Sequence, residues 1–162
     1  MKQSTLCFLI KGAQRERELL LAMKKIGFGK GKWNGVGGIR NRMKGDKTIL
    51  DTAIRETEEE IRVKPQEIEK VAILNFNYPY SKEWSQDTHV FIVKKWKGEP
   101  KESGEMRPKW FSLDKIPFNK MWDDDRFWLP LILKGKKIRA NFIFKEGGIV
   151  IFQNIEVVES LN

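Results

Sequence analysis

Three glutamates beside an arginine are the residues of this chain best suited to chemistry. Arg55, Glu56, Glu59 and Glu60 all lie within the run 51–61. Residues three and four apart share a face of a helix, so the spacing predicts one patch of three carboxylates with Arg55 beside Glu59. Like charges so placed repel. A hard divalent cation such as Mg²⁺, which takes oxygen ligands and bridges to phosphates, would neutralise them.

The helix that must carry these acids has its own sequence signals. Thr48 followed by Asp51 resembles a capping box, which predicts a helix start near Thr48. Apolar or small residues recur at helical spacing on the other face, at Leu50, Ile54, Thr57 and Ile61. The segment is therefore expected to dock on a core. An acidic helix face that is merely solvated is the alternative interpretation of the glutamates.

A glycine-rich loop, Trp33–Ile39, lies just upstream of this helix. Glycines let the backbone approach a ligand closely, and a loop that leads into an acidic helix can hold metal and phosphate near its amides. The loop and the acids together favour a phosphate-processing site over a solvated helix face.

The composition predicts one soluble domain spanning residues 1–162. The chain is 40% hydrophobic and 33% charged, which is typical of globular proteins. No stretch approaches the roughly 20 apolar residues of a membrane span, and the N-terminus is better read as a first strand than as a signal peptide. Cys7 is the single cysteine, so we expect no internal disulfide and a cytoplasmic location.

The net charge of +9 allows three interpretations. Nucleic-acid binding is one, but the basic residues are spread along the chain and no RNA-binding motif stands out. Attraction of a small polyanion such as a nucleoside triphosphate is another. A basic, solvated surface is the third.

Hydrophobic patterning predicts mixed strands and helices without repeats or linkers. Besides the acidic helix, residues 124–134 have helical character. The predicted strands are 6–11, 18–24, 71–78, 89–96 and 109–113, with a hairpin of 139–144 and 149–154 around the turn 145–148.

Residues 38–63 resemble the Nudix box, G-x5-E-x7-R-E-U-x-E-E-x-G-U, in which U is aliphatic. Residues 55–60 match its R-E-U-x-E-E core. The resemblance implies a Nudix fold of the α/β (α+β) class, an α/β/α sandwich around a mixed β-sheet. Two positions depart from the pattern. Lys44 stands where the family has Glu, with Asp46 as a candidate replacement in a longer loop, and Arg62 stands where the family has Gly.

Three further blocks, 20–38, 102–111 and 116–130, are similar to the MutT-type oxidized-purine nucleoside triphosphatases of animals. This resemblance implies hydrolysis of 8-oxo-dGTP, with 2-oxo-dATP as a second candidate, to a monophosphate and diphosphate, which sanitises the nucleotide pool. It implies Mg²⁺ as cofactor, with Mn²⁺ as an alternative. We expect a monomer whose partner is a small nucleotide, with neither nucleic acid nor membrane involved.

The same resemblance assigns roles to residues. Asp124 and Asp125 would read the base, since two neighbouring carboxyls in an aromatic pocket do not both ionise easily, so that one donates and the other accepts. Asn34 would bind the far side of the base. The remaining expected pocket residues are Trp122 as a stacking ring, Lys24 at the rim, and Phe28, Phe76, Tyr78 and Trp128 as walls. Thr5 and Cys7 compete for the family's N-terminal pocket threonine.

For the phosphate chemistry, the resemblance implies that Glu56, Glu59 and Glu60 hold the metal with the Gly38 carbonyl. Glu105 would add an acid from across the site. Glu59 or Glu105 would accept the proton of the attacking water. Arg55 would brace Glu59 rather than touch substrate.

Plainer interpretations and rival functions stay open from sequence alone. Asp123, Asp124 and Asp125 could simply cap the next helix. His89 is expected to be structural, and Trp33 and Trp110 are expected in the core or pocket floor. The rival functions are a Nudix hydrolase of another nucleoside diphosphate derivative, a non-catalytic nucleotide-binding module, and a basic RNA-binding protein.

Overall fold

The computed structural model describes residues 1–161 and contains one mixed sheet flanked by helices. The strands are β1 (Lys2–Lys11), β2 (Glu18–Lys24), β3 (Trp33–Asn34), β4 (Lys64–Asn77), β5 (Gln86–Lys97), β6 (Met106–Ser112), β7 (Lys137–Lys145) and β8 (Ile149–Val158). The helices are α1 (Ile49–Ile61) and α2 (Asp125–Leu133). No helix within residues 1–161 is both long and apolar enough to cross a membrane.

The sheet has the order β3-β2-β1-β5-β4-β7-β8, with β6 also paired to β2. The pairs β1–β5 and β4–β7 are parallel, and the other pairs are antiparallel. The predicted hairpin is present as β7–β8. This arrangement confirms the mixed sheet expected from the sequence.

The two faces of the sheet carry separate hydrophobic cores. Side chains alternate along a strand, so neighbouring residues of β1 enter different cores. Phe8 packs edge-on against Trp128 of α2, with ring centroids 6.0 Å apart. Leu9 points to the opposite face and lies in the cluster that contains Ala53 of α1. The helices therefore cover opposite faces, which confirms the predicted three-layer sandwich.

Helix α1 begins and ends for local reasons. The Thr48 hydroxyl accepts from the Asp51 amide at 3.2 Å, and the Asp51 carboxylate accepts from the Thr48 amide at 2.9 Å, so the predicted capping box is present. The helix ends at Arg62, whose φ of 60° is left-handed. Glycine favours that conformation. The turn that follows the helix is thus made even though this chain has arginine there.

Several strands extend beyond their predicted limits. β4 begins at Lys64 rather than Val71, because its early residues alternate and send charged side chains to solvent. The Glu67 carboxylate lies 3.7 Å from the Lys95 ammonium, and the Glu69 carboxylate lies 3.6 Å from the Lys137 ammonium. Charged strand segments of this kind carry a weak hydrophobic signal, so the sequence pattern underestimated their length.

Candidate active site

Arg55 is the hub of the acidic face of α1. Its Nε and Nη2 donate to the two oxygens of Asp46, at 2.9 and 2.7 Å. Its Nη1 donates to Glu56 Oε1 at 2.9 Å and to Glu59 Oε2 at 3.2 Å. The guanidinium therefore fixes both glutamates from the helix side, in the arrangement that the spacing predicts.

Asp46, not Lys44, is the loop residue that binds this arginine. Its carboxylate is buried and also accepts from the Thr52 hydroxyl and the Asn41 amide, both at 2.9 Å. The hydrogen bonds from Arg55 hold the pKa of Asp46 well below its usual range. Lys44 is half exposed and lies beside Glu59. The longer loop thus brings Asp46 to Arg55, although Lys44 stands at the position where the family pattern has Glu.

Glu56 and Glu60 lie against the glycine-rich loop. Glu60 Oε2 accepts from the Gly37 amide at 3.2 Å. A Cβ added to Gly38 would lie 2.5 Å from the Glu56 carboxyl carbon, so position 38 has no room for a side chain. Burial, then the neighbouring Glu56 charge, raises the pKa of Glu60 from 4.5 to about 8. Burial also raises the pKa of Glu56, although Arg55 opposes the shift.

These acids fit a hard cation, although they are not preassembled around one. Within residues 1–161, no three His, Cys, Asp or Glu side chains converge closely enough to hold a metal ion as they stand. Yet Glu56 and Glu60 are desolvated carboxylates whose pKa values are raised, and their oxygens are the ligands that Mg²⁺ takes. A divalent cation would relieve their repulsion, and Glu59 is exposed enough to turn toward it.

The two predicted metal contributors outside α1 lie at the edges of this cluster. The Gly38 carbonyl oxygen accepts from the Thr5 amide at 3.0 Å and, more weakly, from the Thr5 hydroxyl at 3.5 Å. Glu105 is exposed just before β6, and its carbonyl accepts from the Lys25 amide at 2.8 Å. The Glu105 charge contributes to the raised pKa of Glu60, so the loop brings this carboxylate toward the cluster.

A cavity of about 340 Å³ opens beside Gly37 and Gly38. This volume is within the usual range for small-molecule sites. Nine of the predicted site residues line it, namely Lys24, Phe28, Asn34, Gly38, Phe76, Tyr78, Trp122, Asp124 and Asp125. The loop that meets the acids is therefore also one wall of the cavity.

Asp124 and Asp125 are both buried and face the cavity. Burial raises the pKa of Asp124 to about 6, and burial together with the Asp124 charge raises the pKa of Asp125 well above its usual value. One carboxyl oxygen, Asp125 Oδ2, has no hydrogen-bond partner within the described residues. Asp124 is the N-cap of α2, but its side chain makes no capping hydrogen bond. The Asp124 side chain therefore does not cap this helix.

Trp128 is not a wall of the cavity, which corrects the prediction from sequence. Its ring is fully buried in the core beneath α2. Its Nε1 donates to Asp124 Oδ2 at 2.7 Å. One helical turn separates the two residues, so Trp128 positions Asp124 from behind and does not contact the cavity.

Trp122 is held between two glycines. A Cβ on Gly29 or on Gly148 would lie 3.4 Å from the indole, so both turns approach the ring closely. Phe28 lies 5.0 Å from Trp122 and 4.8 Å from Trp84 between ring centroids. This aromatic row offers flat apolar surface to a planar ligand.

Sequence reasoning missed several residues of the cavity. Lys32, 5.3 Å above the Trp122 ring, and Trp84 both line it. The hydroxyls of Ser4 and Thr88 lie 2.8 Å apart on neighbouring strands and also line it. The alternation of Gln86 and Thr88 along β5 was the available signal, but it required knowing which face of the sheet the cavity occupies.

The other residues considered from sequence lie either at the cavity or in the core. Thr5 lines the cavity and Cys7 does not; the Cys7 thiol is buried against the Ala53 carbonyl of α1. His89 is buried on β5, and burial lowers its pKa to about 4, which suits a neutral structural residue. Trp33 packs on Phe111 in the core, with centroids 5.0 Å apart.

Sequence comparison places the chain in a known family. The NUDIX domain family model matches residues 1–132. The chain belongs to the Nudix family. Two curated relatives are each named oxidized purine nucleoside triphosphate hydrolase. The protein from Mus musculus is 40% identical over 160 residues, 99% of both chains. The protein from Danio rerio is 41% identical over 143 residues, 88% of this chain and 89% of its own.

Solved Nudix structures share the fold at low sequence identity. A Bacillus halodurans MutT protein has a TM-score of 0.79 at 19% identity and covers 96% of this chain and 98% of its own. The NUDIX domain of Shewanella oneidensis NrtR, solved with ADP ribose, has a TM-score of 0.61 at 17% identity and covers 82% of this chain and 84% of its own. These likenesses confirm the fold expected from sequence.

Proposed function

We propose that this protein hydrolyses oxidized purine nucleoside triphosphates, such as 8-oxo-dGTP, to the monophosphate and diphosphate. The observation that carries the proposal is the junction at Gly37 and Gly38, where a cluster of desolvated acids meets a base-sized cavity containing a buried aspartate pair. The names of the two curated relatives support the same substrate class.

Asp124 and Asp125 would select the base. Their pKa values are raised by burial, so one carboxyl keeps its proton and donates while the other accepts. Oxidation of a purine changes which ring positions donate and which accept. Asn34, on the same cavity, would contact the opposite edge of the base, and Trp122 would stack on it.

Glu56, Glu59 and Glu60 would hold Mg²⁺, or Mn²⁺ as an alternative, with help from the Gly38 carbonyl and Glu105. When bound, the metal neutralises charge on the triphosphate. Arg55 holds Glu56 and Glu59 in place through hydrogen bonds from its Nη1. An exposed carboxylate, Glu59 or Glu105, would accept a proton from the attacking water. The oxygen of that water would bond to phosphorus. The phosphorus–oxygen bond to the diphosphate then breaks.

The remaining parts of the proposal concern setting and assembly. The single cysteine is buried, which is compatible with a reducing cytoplasm. A monomer suffices, because one chain supplies the acids and the cavity walls. No nucleic-acid partner is required, since the basic residues Lys24 and Lys32 line the cavity itself.

A hydrolysis panel tests the proposal. Diphosphate release is measured with Mg²⁺ on 8-oxo-dGTP, 2-oxo-dATP, dGTP, dATP and ADP-ribose. We expect oxidized purine triphosphates to be preferred, and preference for ADP-ribose would refute the substrate class. Glu59→Gln should lower kcat by about a hundredfold or more. Glu58→Gln, an exposed neighbour on the same helix, is the matched control and should be near wild type.

A further inference from the structure

Lys44 occupies an unusual place beside the acids. It ends a short 3-10 turn, Arg42–Lys44, whose backbone is fixed by its neighbours. Asn41 Oδ1 accepts from the Met43 amide at 3.0 Å, and Gly45 closes the turn with a φ of 94°. The loop is tied to the core through buried Asp46. A half-exposed lysine side chain therefore extends from an anchored backbone.

One carboxylate oxygen of Glu59 forms ion pairs with two basic side chains, and one of these side chains can move away more easily than the other. Glu59 Oε2 is 3.2 Å from Arg55 Nη1 and 3.8 Å from Lys44 Nζ. Arg55 is largely buried and also bonded to Asp46 and Glu56, so it must stay. Within residues 1–161, the Lys44 ammonium has Glu59 as its sole ion-pair partner. Exposed pairs of this kind are weak and exchange readily with solvent.

A divalent cation on Glu59 would change the position of Lys44. The metal competes for the same carboxylate and repels the ammonium. The substrate brings a triphosphate to the same place, and an ammonium with three donors on a flexible stem suits phosphate oxygens. Lys44 could thus exchange one anion for another without moving its backbone.

We propose that Lys44 is a phosphate-binding residue that neutralises Glu59 in the resting enzyme and transfers to the triphosphate when Mg²⁺ binds. This inference rests on the proposed function, because it takes Glu59 as a metal ligand. It predicts two opposite effects of removing the ammonium. Binding of Mg²⁺ alone becomes tighter, since a competing cation is gone, and binding of the nucleotide becomes weaker. A purely structural role of Lys44 would not produce this opposition.

The test compares wild type with Lys44→Met, Lys44→Arg and Lys47→Met. Lys47 lies in the same loop and makes its described contacts through its backbone, so it is a matched charge control. Calorimetry measures Mg²⁺ affinity without nucleotide, and kinetics give KM and kcat on 8-oxo-dGTP. For Lys44→Met we expect Kd for Mg²⁺ to fall and KM to rise, each about threefold to tenfold, with kcat within about twofold. Lys44→Arg and Lys47→Met should stay near wild type.

The outcomes separate the inference from the proposal beneath it. If wild type binds Mg²⁺ and hydrolyses nucleotide but Lys44→Met matches Lys47→Met in either Kd or KM, the inference is overturned and the proposed function stands. If wild type binds no Mg²⁺, the metal site fails and the inference fails with it. Thermal unfolding in EDTA checks that each variant is folded.

Discussion

At the scale of single residues, the acids of α1 illustrate a conflict between function and stability. Glu60 is buried beside Glu56, and its Oε2 bonds only to the Gly37 amide among the contacts described. A carboxylate in this position is desolvated and faces a like charge, which costs folding free energy. An electrostatic cost of this kind is expected at a site that binds a cation.

The pH dependence of stability should expose this cost. The pKa of Glu60 is raised from 4.5 to about 8, so the folded state holds this proton more tightly than the unfolded state. The free energy of unfolding should therefore fall as pH rises between these values. In EDTA, the free energy of unfolding of wild type should fall relative to that of Glu60→Gln by about 2 kcal/mol as the pH rises from about 6 to about 8. Denaturant unfolding measures it, and parallel curves for the two proteins would contradict the assignment.

Asp124 carries the corresponding prediction for the base. Asp124→Asn keeps an oxygen that can accept from Trp128 but removes the charge that faces Asp125. We expect kcat/KM for 8-oxo-dGTP to fall about tenfold or more, while the low activity on dGTP changes less. Asp123→Asn is the control, because that carboxylate accepts from Arg126 and the Val150 amide instead. Equal losses on both nucleotides would count against base selection by Asp124.

At the scale of elements, the two ends of α1 show how far local sequence determines structure. The capping box at Thr48 and Asp51 was predictable because both partners lie within four residues. The pairing of Arg55 with Asp46 was not, because Asp46 reaches the guanidinium only through the path of a longer loop. Trp128 was wrongly expected to line the cavity, for a related reason. Its position depends on how α2 packs on the sheet, which spacing along the helix does not determine.

The C-terminal end of α1 supplies a stability prediction. Arg62 adopts a left-handed conformation with φ of 60° and ψ of 35°, which is unfavourable for any residue with a Cβ. Arg62→Gly should raise the free energy of unfolding by about 1 kcal/mol, because relief of this strain exceeds the entropy cost of glycine. Arg62→Ala retains the Cβ and should show no gain. Chemical denaturation of the three proteins measures both, and an equal gain for alanine would rule out the backbone explanation.

At the scale of the whole molecule, the net charge of +9 becomes informative once the cavity is located. Lys2, Lys24 and Lys32 all line it, so positive charge lies around the cavity in which an anionic nucleotide would bind. Sequence alone left three interpretations of this charge. The three-dimensional arrangement favours attraction of a small polyanion, because these lysines converge on one cavity.

The salt dependence of catalysis tests this electrostatic interpretation. Raising KCl from about 20 mM to about 300 mM should lower kcat/KM for a triphosphate about threefold to tenfold, since screening weakens long-range attraction. The value of kcat at saturation should change little. Steady-state kinetics at constant free Mg²⁺ measure both, and a flat kcat/KM would show that the surface charge has no role in substrate capture.

The tip of the β7–β8 hairpin adds a consequence for how this enzyme could diversify. Gly148 lies against the indole of Trp122, and the Val150 amide donates to Asp123 at 2.9 Å, yet both belong to a segment beyond the residues matched by the family model. Part of the support for the Trp122 ring is thus encoded in a stretch of the polypeptide that lies outside the residues matched by the Nudix family model. Substitutions in this hairpin would therefore alter the packing around the Trp122 indole while leaving the acids of α1 unchanged.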